Sequence, residues 1–232
     1  MNQNSFIEEL EKINIKLNEN QLKQLEKYYE LLVEWNKIMN LTGITEKEEV
    51  YLKHFYDCIT IAKIIDLNEI KTLCDVGSGA GFPGIVLKIV YPNINITLVD
   101  SLNKRIKFLN NVIKQLDLKN IEALHFRIED YALNNRNKFD MVTARAVAPI
   151  NVLLEYCIPI TKENKFFVAM KGKIDTEPSY DNAIKKLDTE LLKKIQFNLP
   201  IENSDRTLLL FKKKKDIKKY PRKYSDIKKN PL

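Results

Sequence analysis

At 232 residues, with 44% hydrophobic and 30% charged residues, the chain can form one large domain with a real core, and its composition excludes a disordered or fibrous protein. No apolar run reaches the length of a bilayer span, and the start Met1-Asn-Gln-Asn-Ser-Phe-Ile-Glu-Glu has neither a basic nor an apolar leader region, so a cytoplasmic protein without membrane anchorage is expected. The net charge is +7, but residues 212–232 hold ten Lys or Arg against two Asp, a local +8, which leaves −1 for residues 1–211. A run of this kind is either a polyanion-binding segment, nucleic acid foremost, or a solvated tail. The prolines and tyrosines in Lys219-Tyr220-Pro221-Arg222-Lys223-Tyr224 favour an ordered, docking segment.

The first 65 or so residues read as helices. Ser5-Phe-Ile-Glu8 and Thr45-Glu-Lys-Glu48 have capping-box spacing, and Asn20 stands ahead of Leu22, Leu25, Tyr28, Leu32, Trp35 and Met39 at helical intervals. The Thr45 box opens a helix through Val50, Phe55, Ile59 and Ala62, with His54 on it. Trp35 and Phe55 are read as packing residues.

Thr72-Leu-Cys-Asp75-Val-Gly77-Ser-Gly79-Ala-Gly81-Phe82-Pro83-Gly84 is a short buried strand, a glycine-rich turn and a helix start with Pro83 in its first turn. In parallel α/β sheets this arrangement holds a nucleotide-like ligand at the carboxyl end of a strand. Gly79 to Gly84 is a literal G-x-G-x-x-G with Asp100 at the end of the next apolar run, which is the dinucleotide fingerprint. The alternative frame, Asp75-x-Gly77-x-Gly79-x-Gly81, puts an acid at the strand end, which suits cationic amino and sulfonium groups better than a pyrophosphate. That frame resembles the motif of S-adenosylmethionine-dependent methyltransferases.

Strand and helix patterns then alternate. Strands are expected at 94–100, 122–126, 139–144, 165–170, 192–199 and 207–211. Ser101 is expected to cap the helix after the second strand. Arg127-Ile128-Glu129-Asp130 is expected as a loop, Pro149 as a helix start, and a helix near 180–187. The fold class is therefore α/β, a doubly wound, mostly parallel seven-stranded sheet with an N-terminal helical extension. The expected divisions are residues 1–66 for the extension, 67–213 for the sheet domain and 214–232 for a basic tail packed on or near it. Asp75, Asp100, Glu129 and Arg145 fall at successive strand ends and are expected to share a pocket. Cys58, Cys74 and Cys157 are far apart in apolar runs, which implies buried thiols and no metal site.

Taken together, Asn40-Leu-Thr42, His54-Phe55-x-Asp57, the glycine-rich turn, Val99-Asp-Ser-Leu-x-Lys-Arg105, Arg145-Ala-Val-Ala-Pro149, Lys171-Gly172, Lys219-Tyr-Pro-Arg222 and Lys229-Asn-Pro-Leu232 resemble the RsmG (GidB) family over nearly the whole chain. The resemblance implies a Rossmann-like methyltransferase that transfers a methyl group from S-adenosylmethionine to N7 of a guanine in the 530 loop of bacterial 16S ribosomal RNA. It implies cofactor contacts at Gly77, Phe82, Ile128, Glu129 and Arg145, to which the strand-end reading adds Asp75, Gly79 and Asp100. Substrate-positioning candidates are His54, Arg145, Lys171, Arg206 and Arg222, with no essential general base, because guanine N7 already presents a lone pair. The expected partner is 16S rRNA or the small ribosomal particle, bound by a monomer. A nicotinamide-dependent oxidoreductase and a non-catalytic RNA-binding factor are the rival classes.

Overall fold

The structure, a computed structural model, describes residues 1–232. It begins with α1 (Gln3–Glu11) and α2 (Glu19–Met39). A bent helical rod follows, made of α3 (Lys47–Val50), a π-helical segment Tyr51–Tyr56, α4 (Asp57–Ile59) and a 3-10 turn Thr60–Lys63. The helices form where expected, but their caps sit elsewhere. Asn2, not Ser5, caps α1 through the Ser5 N–H, and Asn18 closes a capping box with Gln21 ahead of α2, where Asn20 lies inside the first turn. No capping bond forms ahead of α3. In each case the first turn starts one to three residues away from the expected position, so the side chain no longer faces the free N–H groups.

The sheet contains β1 (Thr72–Val76), β2 (Asn95–Asp100), β3 (Ile121–His125), β4 (Phe139–Arg145), β5 (Thr161–Lys171), β6 (Thr189–Asn198) and β7 (Asp205–Lys213). Its order is β3-β2-β1-β4-β5-β7-β6. β1 to β5 run parallel, and β7 lies antiparallel to both β5 and β6. The order reverses at β1, which pairs with β2 on one side and β4 on the other, so the switch point lies at the end of β1. The near-continuous apolar runs of β1, β2 and β4 follow from burial on both faces.

One face is covered by α1, α2, the bent rod, α5 (Gly84–Val90) and α6 (Asn103–Gln115), and Phe6, Leu25 and Tyr28 share a core with Ile85 and Leu98. The other face carries α7 (Ile128–Asn134), α8 (Ile150–Cys157), α9 (Asp181–Lys186) and α10 (Tyr224–Lys229). Two local expectations are corrected. Residues 128–130 are not a loop but the first turn of α7. Ser101 does not cap α6; Leu102 holds the N-cap position, and its N–H donates to Asp100 Oδ1 at 2.9 Å. No helix is long and apolar enough to cross a membrane.

The basic segment is built into the fold. Lys213 has no exposed side chain, and its ammonium donates to the carbonyls of Pro159 and Thr161 and to Asn137 and Asp216. Those partners lie at the amino edge of β4 and β5, so the tail starts at the opposite end of the sheet from the switch point. It then climbs along α7 and α8. Arg222 pairs with Glu155, which is fully buried on α8, at 2.8 and 2.6 Å.

Candidate active site: two cavities at the carboxyl edge of the sheet

After β1 the chain turns through Gly77 at φ +69°. A Cβ at that position would come within 2.5 Å of Val147 Cγ2, so only glycine fits beside the loop that follows β4. The turn is tied at three points. Gly79 N donates to Asp100 Oδ2 at 2.9 Å, Gly84 N donates to Asp75 Oδ2 at 2.8 Å, and the Tyr28 hydroxyl donates to the Ala80 carbonyl.

Asp100 joins this turn to a cavity of about 570 Å³ lined by Gly77, Asp100, Ile128, Glu129 and Val147, among others. The α7 start aims Glu129 inward. Its side chain is 8% exposed, and Oε1 has no hydrogen-bond partner, the Arg127 guanidinium being 3.7 Å away. Asp100 already accepts from Gly79 N, Leu102 N and, at 3.2 Å, Arg105 Nη1, which leaves a carboxylate room for one further donor.

A second cavity of about 350 Å³ opens beyond β4. Its charged lining is five basic residues, Lys53, Arg145, Lys171, Lys173 and Arg206, against Asp57 and Glu177. Asp57 is the hub: Oδ2 accepts from Arg145 Nη1 and Oδ1 from Arg206 Nε, both at 2.8 Å. Arg145 also donates to the Lys53 carbonyl and lies 5.1 Å over the Phe82 ring. His54 stacks on Phe82 with ring centres 4.3 Å apart, and its Nδ1 lies 3.1 Å from Arg145 Nη2. Burial first, and the Arg145 charge second, push its imidazole down to about 3. Nδ1 faces both Arg145 Nη2, which can only donate, and the Lys53 carbonyl, which can only accept, each at 3.1 Å, and Nε2 faces Thr42 Oγ1 at 3.0 Å. Lys171 donates to the Ala148 carbonyl and pairs with Glu177, which accepts from Ile150 N at the start of α8.

The two cavities meet at Ala146, which lines both and has a left-handed backbone, φ +56°. The family profile described as rRNA small subunit methyltransferase G matches residues 21–207. The chain belongs to that family. Relatives named ribosomal RNA small subunit methyltransferase G from Lysinibacillus sphaericus and Bacillus subtilis are 48% and 47% identical over 237 aligned residues, covering 100% of this chain and 100% and 99% of theirs. A SAM-dependent methyltransferase from Aquifex aeolicus superposes with TM-score 0.53 at 14% identity, covering 74% of this chain and 96% of that one. The StiE O-MT segment does so with TM-score 0.58 at 11% identity, covering 78% and 81%. The fold is thus the Rossmann-like class I methyltransferase fold, and the nicotinamide oxidoreductase reading is set aside by the family.

The family's cofactor is S-adenosylmethionine, and the first cavity fits such a group. The buried Oε1 of Glu129 accepts no hydrogen bond, the Arg127 guanidinium being 3.7 Å away, and the volume lies in the range of small-molecule sites.

The candidate residues divide accordingly. Gly77, Asp100, Ile128 and Glu129 line the first cavity, and Arg145, Lys171 and Arg206 line the second. His54 and Phe82 stand behind Arg145. Asp75 and Gly79 brace the turn from within; burial pushes the Asp75 carboxyl up to about 7, and its Oδ1 has no partner. Arg222 is not at the mouth of the second cavity but locked on Glu155 beside the first, because the tail crosses α8. Sequence reasoning missed Asp57 as the hub, although its spacing from His54 was a visible signal. It also missed Tyr224 and Ile227 as lining residues of the first cavity, for which the sequence carried no signal.

Proposed function

We propose that this chain methylates N7 of a guanine in the 530 loop of bacterial 16S rRNA, as naked RNA or within the small ribosomal particle, acting as a cytoplasmic monomer. The observation that carries the reading is the shared edge at Ala146 between a cavity lined by glycine and acids and a cavity lined by five basic residues. Bound S-adenosylmethionine supplies a methyl carbon on a positive sulfur. Glu129 and Asp100 would accept from the cofactor's hydroxyl and amino donors, Ile128 would pack against it, and the Gly77 turn would border it. Asp75, Gly79 and Phe82 keep the turn in shape.

In the second cavity Arg145, Arg206 and Lys171 offer donors to phosphates and to the O6 acceptor edge of guanine. His54 is neutral and a weak base, buried against the Arg145 charge, and Lys171 is held in an ion pair, so neither is arranged to remove a proton. That lining suits an acceptor nitrogen with no proton to lose. The residues act by lining up the base against the methyl carbon, and such positioning is worth about 7–11 kcal/mol in favourable cases.

The test is to incubate the protein with unmodified small-subunit rRNA, or with particles, and a methyl-labelled donor, then digest to nucleosides. One 7-methylguanosine per RNA is expected. Label on an exocyclic amine, on a pyrimidine or on no nucleoside sinks the proposal.

A further inference from the structure

From sequence the basic C-terminal segment reads as an ordered, docking segment packed on or near the sheet domain. The structure fixes where its last thirteen residues, 220–232, lie. From the amino edge of the sheet, Arg136 holds the segment by donating to Asp216 and to the Ile217 carbonyl. Arg222 then fixes it to buried Glu155 through its backbone N–H and its guanidinium. Tyr224 lies under Arg127, ring centre to Cζ 4.2 Å, and the Leu232 carbonyl accepts from Asn151 Nδ2 at 3.0 Å. Ile227 is fully buried and Leu232 is 6% exposed. The segment therefore ends over the first cavity, which Tyr224, Ile227, Lys228 and Pro231 help to line.

We infer that residues 220–232 form the closing wall of the S-adenosylmethionine site, with Tyr224 and Ile227 contacting the adenosine half of the cofactor and Glu155 positioning that wall through Arg222. The inference rests on the reading of this cavity as the cofactor site. Orientation follows from the two cavities. The methyl group must reach Ala146, on the β4 side, where the second cavity begins. Tyr224 sits at the other side, against Arg127 at the end of β3, two strands away from β1. What faces Tyr224 is therefore the end of the cofactor remote from the sulfur. The chemistry agrees: Tyr224 and Phe126 both line the cavity while 41% and 48% exposed. Large apolar rings left open at a cavity mouth lose their contact with water when a flat purine enters. Glu129, whose Oε1 accepts no hydrogen bond, lines the same cavity as an acceptor for the same ligand.

The experiment uses the full-length protein and S-adenosylhomocysteine as probe. Binding is measured by calorimetry for the unsubstituted chain, Tyr224→Ala and Tyr224→Phe. The tyrosine is partly exposed, so the alanine variant should fold, and its melting temperature without ligand should stay near that of the parent. The dissociation constant should rise about tenfold in Tyr224→Ala, the order of one aromatic–base stack, and return in Tyr224→Phe. In parallel, trypsin is applied with and without the probe. Cleavage after Lys223 and Lys228 should slow several-fold when the probe is bound, while cleavage after Lys214 and Lys218 keeps its rate. An unchanged dissociation constant in Tyr224→Ala, or cleavage after Lys228 indifferent to the probe, overturns the wall and leaves the methyltransferase reading standing. Failure of the unsubstituted chain to bind the probe overturns both.

Discussion

The two cavities at the top of the sheet are built on opposite principles. In the first, an acid is left short of hydrogen bonds: Glu129 is almost wholly buried, and its Oε1 accepts none, with the Arg127 guanidinium 3.7 Å away. In the second, charged groups are tied up inside the protein: Arg145 and Arg206 share Asp57, Lys171 holds Glu177, and Lys53 pairs with Glu49 and Glu202. The difference fits the two kinds of ligand. A small cofactor can complete a hydrogen-bond set that the protein leaves open. A large polyanion brings many charges, and what it needs from the protein is side chains already aimed, with their conformational entropy spent at folding.

Removing the hub of the second cavity should give the largest effect. Asp57→Ala leaves two guanidinium groups without their buried partner and should destabilise the fold by about 3–5 kcal/mol, measured by urea unfolding; a loss under about 1 kcal/mol would mean that the arginines do not depend on it. The first cavity should answer in the reverse way. Glu129→Gln should change stability by less than about 1 kcal/mol, because Oε1 accepts no hydrogen bond and its 3.7 Å partner Arg127 is half exposed, yet weaken S-adenosylhomocysteine binding by about 1–3 kcal/mol; equal affinity by calorimetry would remove Glu129 from the site.

A third contrast lies in pH. His54 takes a proton at about 3 in the fold but at 6.5 when free, so its contribution to stability is present above pH 6.5 and lost as the pH falls toward 3. Asp75 keeps its proton up to about 7 against 3.8 when free, so its contribution is present below pH 3.8 and lost as the pH rises toward 7. Between pH 4.5 and 6.5 the two oppose each other at about 1.4 kcal/mol per pH unit each. Relative to the parent, the unfolding free energy of Asp75→Asn should rise across that window, and that of His54→Gln should fall; parallel curves for all three would show that neither group titrates as described. The smallest effect belongs to the tail's first half. Lys218 and Lys219 are exposed near the amino edge, far from both cavities. Replacing both with alanine should flatten the salt dependence of RNA binding by about 0.7–0.9 log units per lost phosphate contact, with cofactor affinity untouched; an unaltered slope would assign these lysines to solvent.

Much of this site was legible before folding was considered. The glycine turn, Asp100 and Glu129 were placed at strand ends by alternation of strand and helix alone, and Gly77 and Arg145 by their motifs. Cap positions were missed at α1, α2, α3 and α6, since several polar residues near each start compete and only the first turn's geometry selects among them. The π-helical segment at Tyr51–Tyr56, which ends where Asp57 begins α4, left no mark in the hydrophobic pattern.

The amino-acid sequence by itself determined the order of strands and helices, the switch point after β1 and the chemistry gathered there, because these depend on local periodicity and on which residues tolerate a tight turn. Only the tertiary structure decided that Asp57 joins two arginines 61 residues apart in the chain, Arg145 and Arg206, and that the basic C-terminus returns to line the first cavity. Both are pairings between segments distant in sequence, and they arise from pairing Arg222 with Glu155 and burying Ile227 and Leu232 beside α8, and from packing the bent helical rod across the end of β4, which no local pattern encodes.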